Sequence, residues 1–266
     1  MNLLLAVDGS NTLHRAYHGA QCADAAGAAA VALGMIRKAL LRWRPTHLVV
    51  ALDRPEPTWR RLMDPVYKAS RVSHGPSTAE MTDALVPLLD DVGICHAGVA
   101  GFEADDVLAT LTARCAAKGT RAMLLTRDSD LLQCADRATI LWPENGGEAA
   151  LGSTETHARM GVWPHQITSL KAIAGDKGDD IPRLGAERQT RGGVRFYGFT
   201  DRRAAELVSA HGSLDGLYTA LPGATLKDCE REWLVNGRER AYLNFTLASL
   251  REDVALDLDP RATALR

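Results

Sequence analysis

The chain has no CxxC pair, no excess of basic charge, no membrane-length apolar run and no glycine-rich loop behind its first apolar segment. Each absence removes a class of protein. The five cysteines, Cys22, Cys95, Cys115, Cys134 and Cys229, are an odd set without paired spacing, which suits buried thiols in a reducing compartment rather than a disulfide framework. No apolar stretch approaches the roughly 20 residues of a membrane helix. The N-terminal MNLLLAVDGSN lacks a basic start and meets Asp8 too soon for a secretory signal; it reads as a strand that begins almost at once. A formal net charge of −2 gives no global attraction to nucleic acid, so any such contact must rest on local patches, for which the preponderance of Arg over Lys is suited. DGSN is not a phosphate loop, which excludes the glycine-loop nucleotide-binding domains. Zinc spacing is absent too: His14 and His18 lie four apart, but nothing like HExxH surrounds them.

What is there is an α/β pattern. With 266 residues, 46% of them hydrophobic, the chain can bury a full core and hold one large domain or two. LLLAVD (Leu3 to Asp8) and HLVVALD (His47 to Asp53) are short apolar runs that end in aspartate, as buried parallel strands do. RAMLLTRDSD, ATILW and ICHAGVA are further strand candidates, and GAAAVALGMIRKALLRW is a helix pattern between the first two. Alternation of this kind predicts a mostly parallel sheet flanked by helices. From about Gly161 onward strand patterns vanish and short helices remain, which predicts a helical second domain.

The stretch GFEADDVLATL crowds Glu103, Asp105 and Asp106 into one helical turn. One or two acids there complement the helix dipole; three exceed that need. Two like charges about 4 Å apart repel by roughly 4 kcal/mol at an effective dielectric near 20. In open α/β sheets the functional crevice lies beyond the carboxyl ends of the strands. Asp8, Asp53, Asp128 and Asp130 belong to that edge, and the turn at Glu103 joins them. An uncompensated cluster of seven carboxylates would destabilise the fold, and its all-oxygen donor set points to Mg²⁺ or Mn²⁺. Downstream, AGDKGDDIP adds Asp176, Asp179 and Asp180.

Taken in order, VDGSNTLHRAYHG, ALDRPEPTWR, YKASR, GFEADDVLATL, TRDSDLLQ and GDKGDDIP resemble the bacterial 5′ nucleases. That family includes the N-terminal 5′–3′ exonuclease domain of DNA polymerase I and the free-standing flap endonucleases; lacking a long C-terminal extension, this chain resembles the free-standing form. The resemblance implies a PIN-like α/β nuclease domain over 1–160, with a helical arch around 68–91 through which a single-stranded 5′ end passes. It implies a helical DNA-binding domain over 161–266 with a helix–three-turn–helix. Carried over by position, Asp8, Asp53, Glu103, Asp105, Asp106, Asp128, Asp130, Asp176 and Asp179 match the metal-binding carboxylates, with Asp180 as a supporting residue where the family usually has Asn. Lys68 and Arg71 match cations at the base of the arch, and Arg15 an arginine on the first helix. Ser77 and Glu80 have the spacing of a capping box for the helix that follows. The implied reaction is in-line hydrolysis of DNA at 5′ ends and flaps with two or more Mg²⁺ or Mn²⁺ ions and no protein nucleophile. The implied setting is a monomeric, cytoplasmic, nucleoid-associated enzyme of replication and repair, acting beside a DNA polymerase and ligase, with no membrane.

One region departs from the family pattern. The segment after Pro182 reads RLGAERQTRGGVRFYGFTDRRAAELV, where the family has a glycine-rich turn whose amides and a bound K⁺ hold duplex phosphates. Arg202 matches the family lysine there, and Thr200 stands where a glycine is expected, which counts against the K⁺ site. The stretch 185–197 reads as an insertion, either a flexible basic hairpin touching duplex phosphates or a solvated loop. Its Arg191 and Arg195, with Arg202 and Arg203, are candidate DNA contacts. A PIN-type ribonuclease and a non-catalytic nucleic-acid binder remain as alternatives.

Overall fold

The first apolar run becomes a strand because neighbours on both sides cover it. In the computed structural model, which describes residues 2–71, 75–144, 147–258 and 263–265, β1 (Leu3–Asp8) is buried from Leu4 to Asp8. It leads straight into α1 (Gly9–Gly19), with Asp8 as N-cap. Gly9 is required at that turn, since a Cβ there would meet the Ala51 carbonyl oxygen at 2.6 Å. Next come α2 (Ala25–Trp43), β2 (His47–Ala51), α3 (Trp59–Met63), α4 (Thr78–Asp91), β3 (His96–Ala97), α5 (Ala104–Ala117), β4 (Arg121–Leu125), β5 (Thr139–Glu144) and β6 (Gly147–Leu151). The sheet order is β3-β2-β1-β4-β5-β6, parallel from β3 to β5 with β6 antiparallel at the edge. The chain runs outward from β1 through β2 to β3, then returns to the other side of β1 with β4. The gap between the carboxyl ends of β1 and β4 is therefore the topological switch point.

The chain divides into two compact units. The first is Met1–Leu62, Val72–Gly152 and Leu250–Arg266; the second is Met63–Arg71 and Ser153–Ser249. The division differs from a single cut near residue 160: the YKASR segment belongs to the second unit, and the C-terminal stretch returns to the first. In the first unit, Leu5, Val7, Leu13, Ile36, Leu48 and Val50 form a core shared with Met81, Leu85 and Leu89 of α4. Those three side chains are fully buried, so one face of α4 packs on the core. Its start is the capping box that the sequence predicts: Ser77 Oγ accepts from Glu80 N at 3.2 Å, and the Glu80 carboxylate accepts from Ser77 N at 2.7 Å. Of the segment 68–91 in which the arch is expected, residues 72–74 lie outside the described residues.

The second unit contains α6 (Ser153–Met160), α7 (Ile167–Ala174), β7 (Gly185–Thr190), β8 (Gly193–Gly198), α8 (Asp201–His211), α9 (Leu214–Ala220), α10 (Asp228–Asn236) and α11 (Arg238–Ala248). The expectation that only helices follow Gly161 is corrected here. The insertion is an antiparallel hairpin, with Gly185 opposite Gly198 and Arg188 opposite Arg195. Glycines, arginines and polar residues dilute its alternation, so hydropathy alone does not reveal it. Among the described residues no helix is long and apolar enough to cross a membrane.

Candidate functional site

Asp8 is the last residue of a buried strand, and its carboxylate has little water to face: the residue is 3% exposed. The Asn11 amide donates to its Oδ1 at 2.9 Å, and the Thr126 hydroxyl donates to its Oδ2 at 2.7 Å. Burial drives the Asp8 carboxyl up to about 7, against those two hydrogen bonds, with Asp128 and Asp53 adding like charge. Thr126 is placed by register, since Val7 pairs with Leu125 and the next residue on each strand therefore meets the other. Sequence reasoning missed Thr126; the hydroxyl one residue past a strand end, level with an acid, was the available signal.

Asp53 and Asp128 belong to the same rim. The Asp53 Oδ1 accepts from Ala104 N at 2.8 Å, tying the β2 end to the start of α5, while its own amide donates to Ser10 Oγ at 3.2 Å. The Asp128 Oδ1 accepts from Asp130 N at 2.9 Å, and the Asp128 amide donates to Thr126 Oγ1 at 3.0 Å. Asp130 is buried, and Asp105 is half-buried in the first turn of α5.

Asp106 sits differently. It is fully buried and gripped by Arg60, whose Nη1 and Nη2 donate to it at 2.8 and 2.7 Å. Trp59 Nε1 and the Glu103 and Arg251 amides also donate to its carboxylate, at 3.2, 3.2 and 2.9 Å. Arg60 reaches Glu103 as well, at 3.1 Å. So one buried cation neutralises part of the EADD turn, and sequence reasoning did not single it out. Arg60 follows the PTW that precedes a short helix, and nothing local marks it as buried.

Arg15, on α1, faces Arg127. Burial and the neighbouring Arg127 guanidinium pull Arg15 below its usual range, while Glu148 and Asp8 oppose the shift. The two guanidiniums, with Pro143 and Glu144, line a cleft of about 500 Å³. Arg127 was not among the expected site residues, though it stands directly before Asp128.

In the second unit, Asp179 receives the Tyr67 hydroxyl at 2.8 Å, Arg71 Nη2 at 2.6 Å and Lys68 Nζ at 3.7 Å. Burial alone would push Asp179 up; Lys68, Arg71 and the Tyr67 hydroxyl outweigh it and hold the carboxyl below the ordinary range. Lys68 has φ 53°, an uncommon left-handed conformation for a lysine, with its amide donating to the Asp179 carbonyl at 3.0 Å. Asp176 accepts from Lys171 Nζ at 2.6 Å and from Gly178 N at 2.8 Å. Asp180 is also left-handed, φ 56°, a conformation Asn and Asp tolerate, and it accepts from Ser70 N and Oγ at 2.7 and 2.6 Å. Arg203 is tied to Glu230 by two bonds of 3.0 Å, whereas Arg202 is exposed and 3.8 Å from Glu206.

The donor chemistry suits a hard divalent cation: a buried carboxylate kept near neutrality, joined at a strand-end rim by other oxygens. Among the described residues no three His, Cys, Asp or Glu side chains already close on a common point.

The model of the family described as 5′-3′ exonuclease, N-terminal resolvase-like domain, matches residues 3–161. A DNA polymerase I of Streptococcus pneumoniae is 31% identical over 270 residues, covering 96% of this chain and 29% of the polymerase. The chain thus spans less than a third of that relative's length. A flap endonuclease Xni of Shewanella baltica is 29% identical over 262 residues, covering 97% of this chain and 93% of the relative. Among solved structures, a phage T5 flap endonuclease, in a pseudo-enzyme–product complex with DNA and metal ions, superposes with a TM-score of 0.73 at 19% identity, over 93% of this chain and 89% of that one. That likeness is one of fold. With the matched model spanning more than half of its length, the chain belongs to the 5′–3′ exonuclease family.

Proposed function

We propose that this protein is a structure-selective 5′ nuclease that hydrolyses DNA phosphodiesters at 5′ ends and 5′ flaps with divalent cations, Mg²⁺ or Mn²⁺. The observation that carries the reading is the state of Asp8. A carboxyl buried at the end of β1, fixed by the Asn11 amide and the Thr126 hydroxyl and crowded by the like charges of Asp128 and Asp53, is a poor choice for stability and a good one for a cation seat. The Xni and T5 relatives support the same reading, being named for flap cleavage and, in the T5 case, holding DNA and metal ions.

The residues that would hold ions in the first unit are Asp8, Asp53, Glu103, Asp105, Asp128 and Asp130. Asp106 is left out of that set because Arg60, Trp59 and two amides already fill its oxygens. Its task is to fix the turn that presents Glu103 and Asp105. When bound, such ions supply Lewis acidity toward a phosphodiester and a more acidic water. Thr126 and the Asn11 amide hold the Asp8 carboxylate in one orientation. Arg15 and Arg127 offer forked donors to a substrate phosphate.

In the second unit, Asp176 and Asp179 are the candidate ion ligands, and Lys171, Lys68 and Arg71 pair with them. With an ion held at Asp179, Lys68 and Arg71 would be available to a substrate phosphate. The turn is assigned no K⁺, because Thr200 stands ahead of α8 and its Oγ1 accepts from Arg203 N.

Cleavage of a 5′-flap DNA by wild type and by Asp128→Ala, with Mg²⁺ or Mn²⁺, tests the reading. Cutting at or near the flap junction that is lost in the variant supports it. An inert wild type with both metals refutes it, and preference for a matched RNA flap reassigns the substrate to RNA.

A further inference from the structure

The hairpin Gly185–Gly198 carries a feature that the nuclease chemistry does not use. Its register places Arg188 directly opposite Arg195, and Ala186 opposite Tyr197. Side chains of directly opposed residues share one face, with Cβ atoms about 4.5–5.5 Å apart, and like charges in that position repel. One face therefore carries Arg188, Arg195 and Tyr197. The other carries Glu187, Gln189, Val194 and Phe196. The only acid within the two strands thus lies on the face away from the paired arginines. Among the described residues neither Arg188 nor Arg195 makes an ion pair; both are exposed, and Tyr197 is 39% exposed.

The hairpin is anchored rather than loose at its base. Leu184 and Phe199, on either side, are buried, their backbones are joined at 3.0 Å, and the Phe199 ring meets Trp233 edge-on at 5.4 Å. Phe196 folds over the glycine pair: a Cβ on Gly185 or Gly198 would meet its ring at 2.6 or 2.8 Å. That holds the second face, while the two arginines opposite make no ion pair among the described residues. At the tip, Thr190 Oγ1 donates to the Gly193 carbonyl at 2.7 Å, and Arg191, in the turn, is exposed. Three residues of strand rise separate Arg188 from Arg191, about 10 Å. From Arg183 to Arg203 six arginines stand against two acids, in a chain whose net charge is −2.

We propose that this hairpin is a wing that grips the phosphate backbone of duplex DNA through Arg188, Arg195 and Arg191, with the Tyr197 hydroxyl as a further donor. A row of cations about 10 Å long matches a repeating polyanion better than a single small anion. Contacts of this kind position the duplex and read no sequence. The proposal rests on the reading that the protein acts on DNA and adds to it a surface outside the carboxylate rim.

The experiment is fluorescence anisotropy with a blunt 20-base-pair DNA duplex in EDTA, where neither cleavage nor a flap is involved, across a salt series. For Arg188→Gln/Arg195→Gln the dissociation constant should rise roughly tenfold, and the slope of log K against log salt should shrink by about 2, near 0.9 per lost phosphate contact. Arg188→Lys/Arg195→Lys should recover most of that slope, which a merely structural role would not. Equal affinity and slope in wild type and the Gln variant, with unchanged melting temperature, would overturn the proposal. The same holds if the Gln variant loses only binding to an acidic peptide probe. Because the duplex assay does not depend on hydrolysis, an inert enzyme with a salt-sensitive wing would sink the nuclease reading and leave this one standing.

Discussion

Arg60 and Asp106 form a two-bond ion pair sealed from solvent, at 2.8 and 2.7 Å, with side-chain exposures of 2% and 0%. The pair ties α3 to the first turn of α5. The same guanidinium donates to Glu103. Removing Arg60 would leave two buried carboxylates without their counter-ion. Arg60→Ala should therefore destabilise the protein by about 3–5 kcal/mol. Thermal and urea unfolding of the metal-free protein measure this, and a loss below about 1 kcal/mol would mean that the pair is replaceable by water.

Asp8 makes the opposite prediction. Its folded-state carboxyl is raised, so its contribution is fully present below the ordinary aspartate range and is lost as pH rises through about 7. Above that, the ionised group costs stability. Asp8→Asn should then melt higher than wild type at pH 8 without metal, by roughly 1–4 kcal/mol, and the two should converge toward pH 4. Melting curves over that range decide it; a variant less stable than wild type at pH 8 would contradict the burial argument.

The parallel sheet was legible because β1 and β2 are continuous apolar runs capped by aspartate, and buried strands need that composition. The rim acids were legible for the same reason, since strand ends fix where Asp8 and Asp53 must lie. Arg60 was not legible: a buried arginine looks like a surface one until its partner, 46 residues away, is placed against it. Thr126 and Arg127 depend on strand register, which hydropathy does not carry. The hairpin was legible only as one of two readings of the insertion, because its strands are largely exposed and lack the apolar alternation that marks a half-buried strand.

Tyr67 and Asp179 test the second unit. The Asp179 carboxyl is held low, so its contribution is present above the unfolded value and fades as pH falls through the folded one. Tyr67→Phe removes one donor at 2.8 Å from a buried carboxylate. A loss of about 1–3 kcal/mol at pH 7 and an acid-unfolding midpoint shifted to higher pH should follow. Unchanged acid unfolding would show that Lys68 and Arg71 suffice.

Arg127 stands beside Arg15 with a cleft in front of it. Arg127→Gln should weaken substrate phosphate binding, raising KM roughly tenfold with little change in kcat, about 1.4 kcal/mol of uniform binding lost. Steady-state kinetics on a 5′-flap substrate separate this from a loss in kcat alone, which would place Arg127 in the chemical step instead.

The most direct test of the account is Mn²⁺ binding, followed by electron paramagnetic resonance on the protein without DNA. Wild type should bind Mn²⁺, and Asp8→Asn and Asp128→Asn should each lose affinity by tenfold or more, while Arg127→Gln binds as wild type does. Equal Mn²⁺ affinity in wild type and both aspartate variants would contradict the assignment of the strand-end acids as a cation seat.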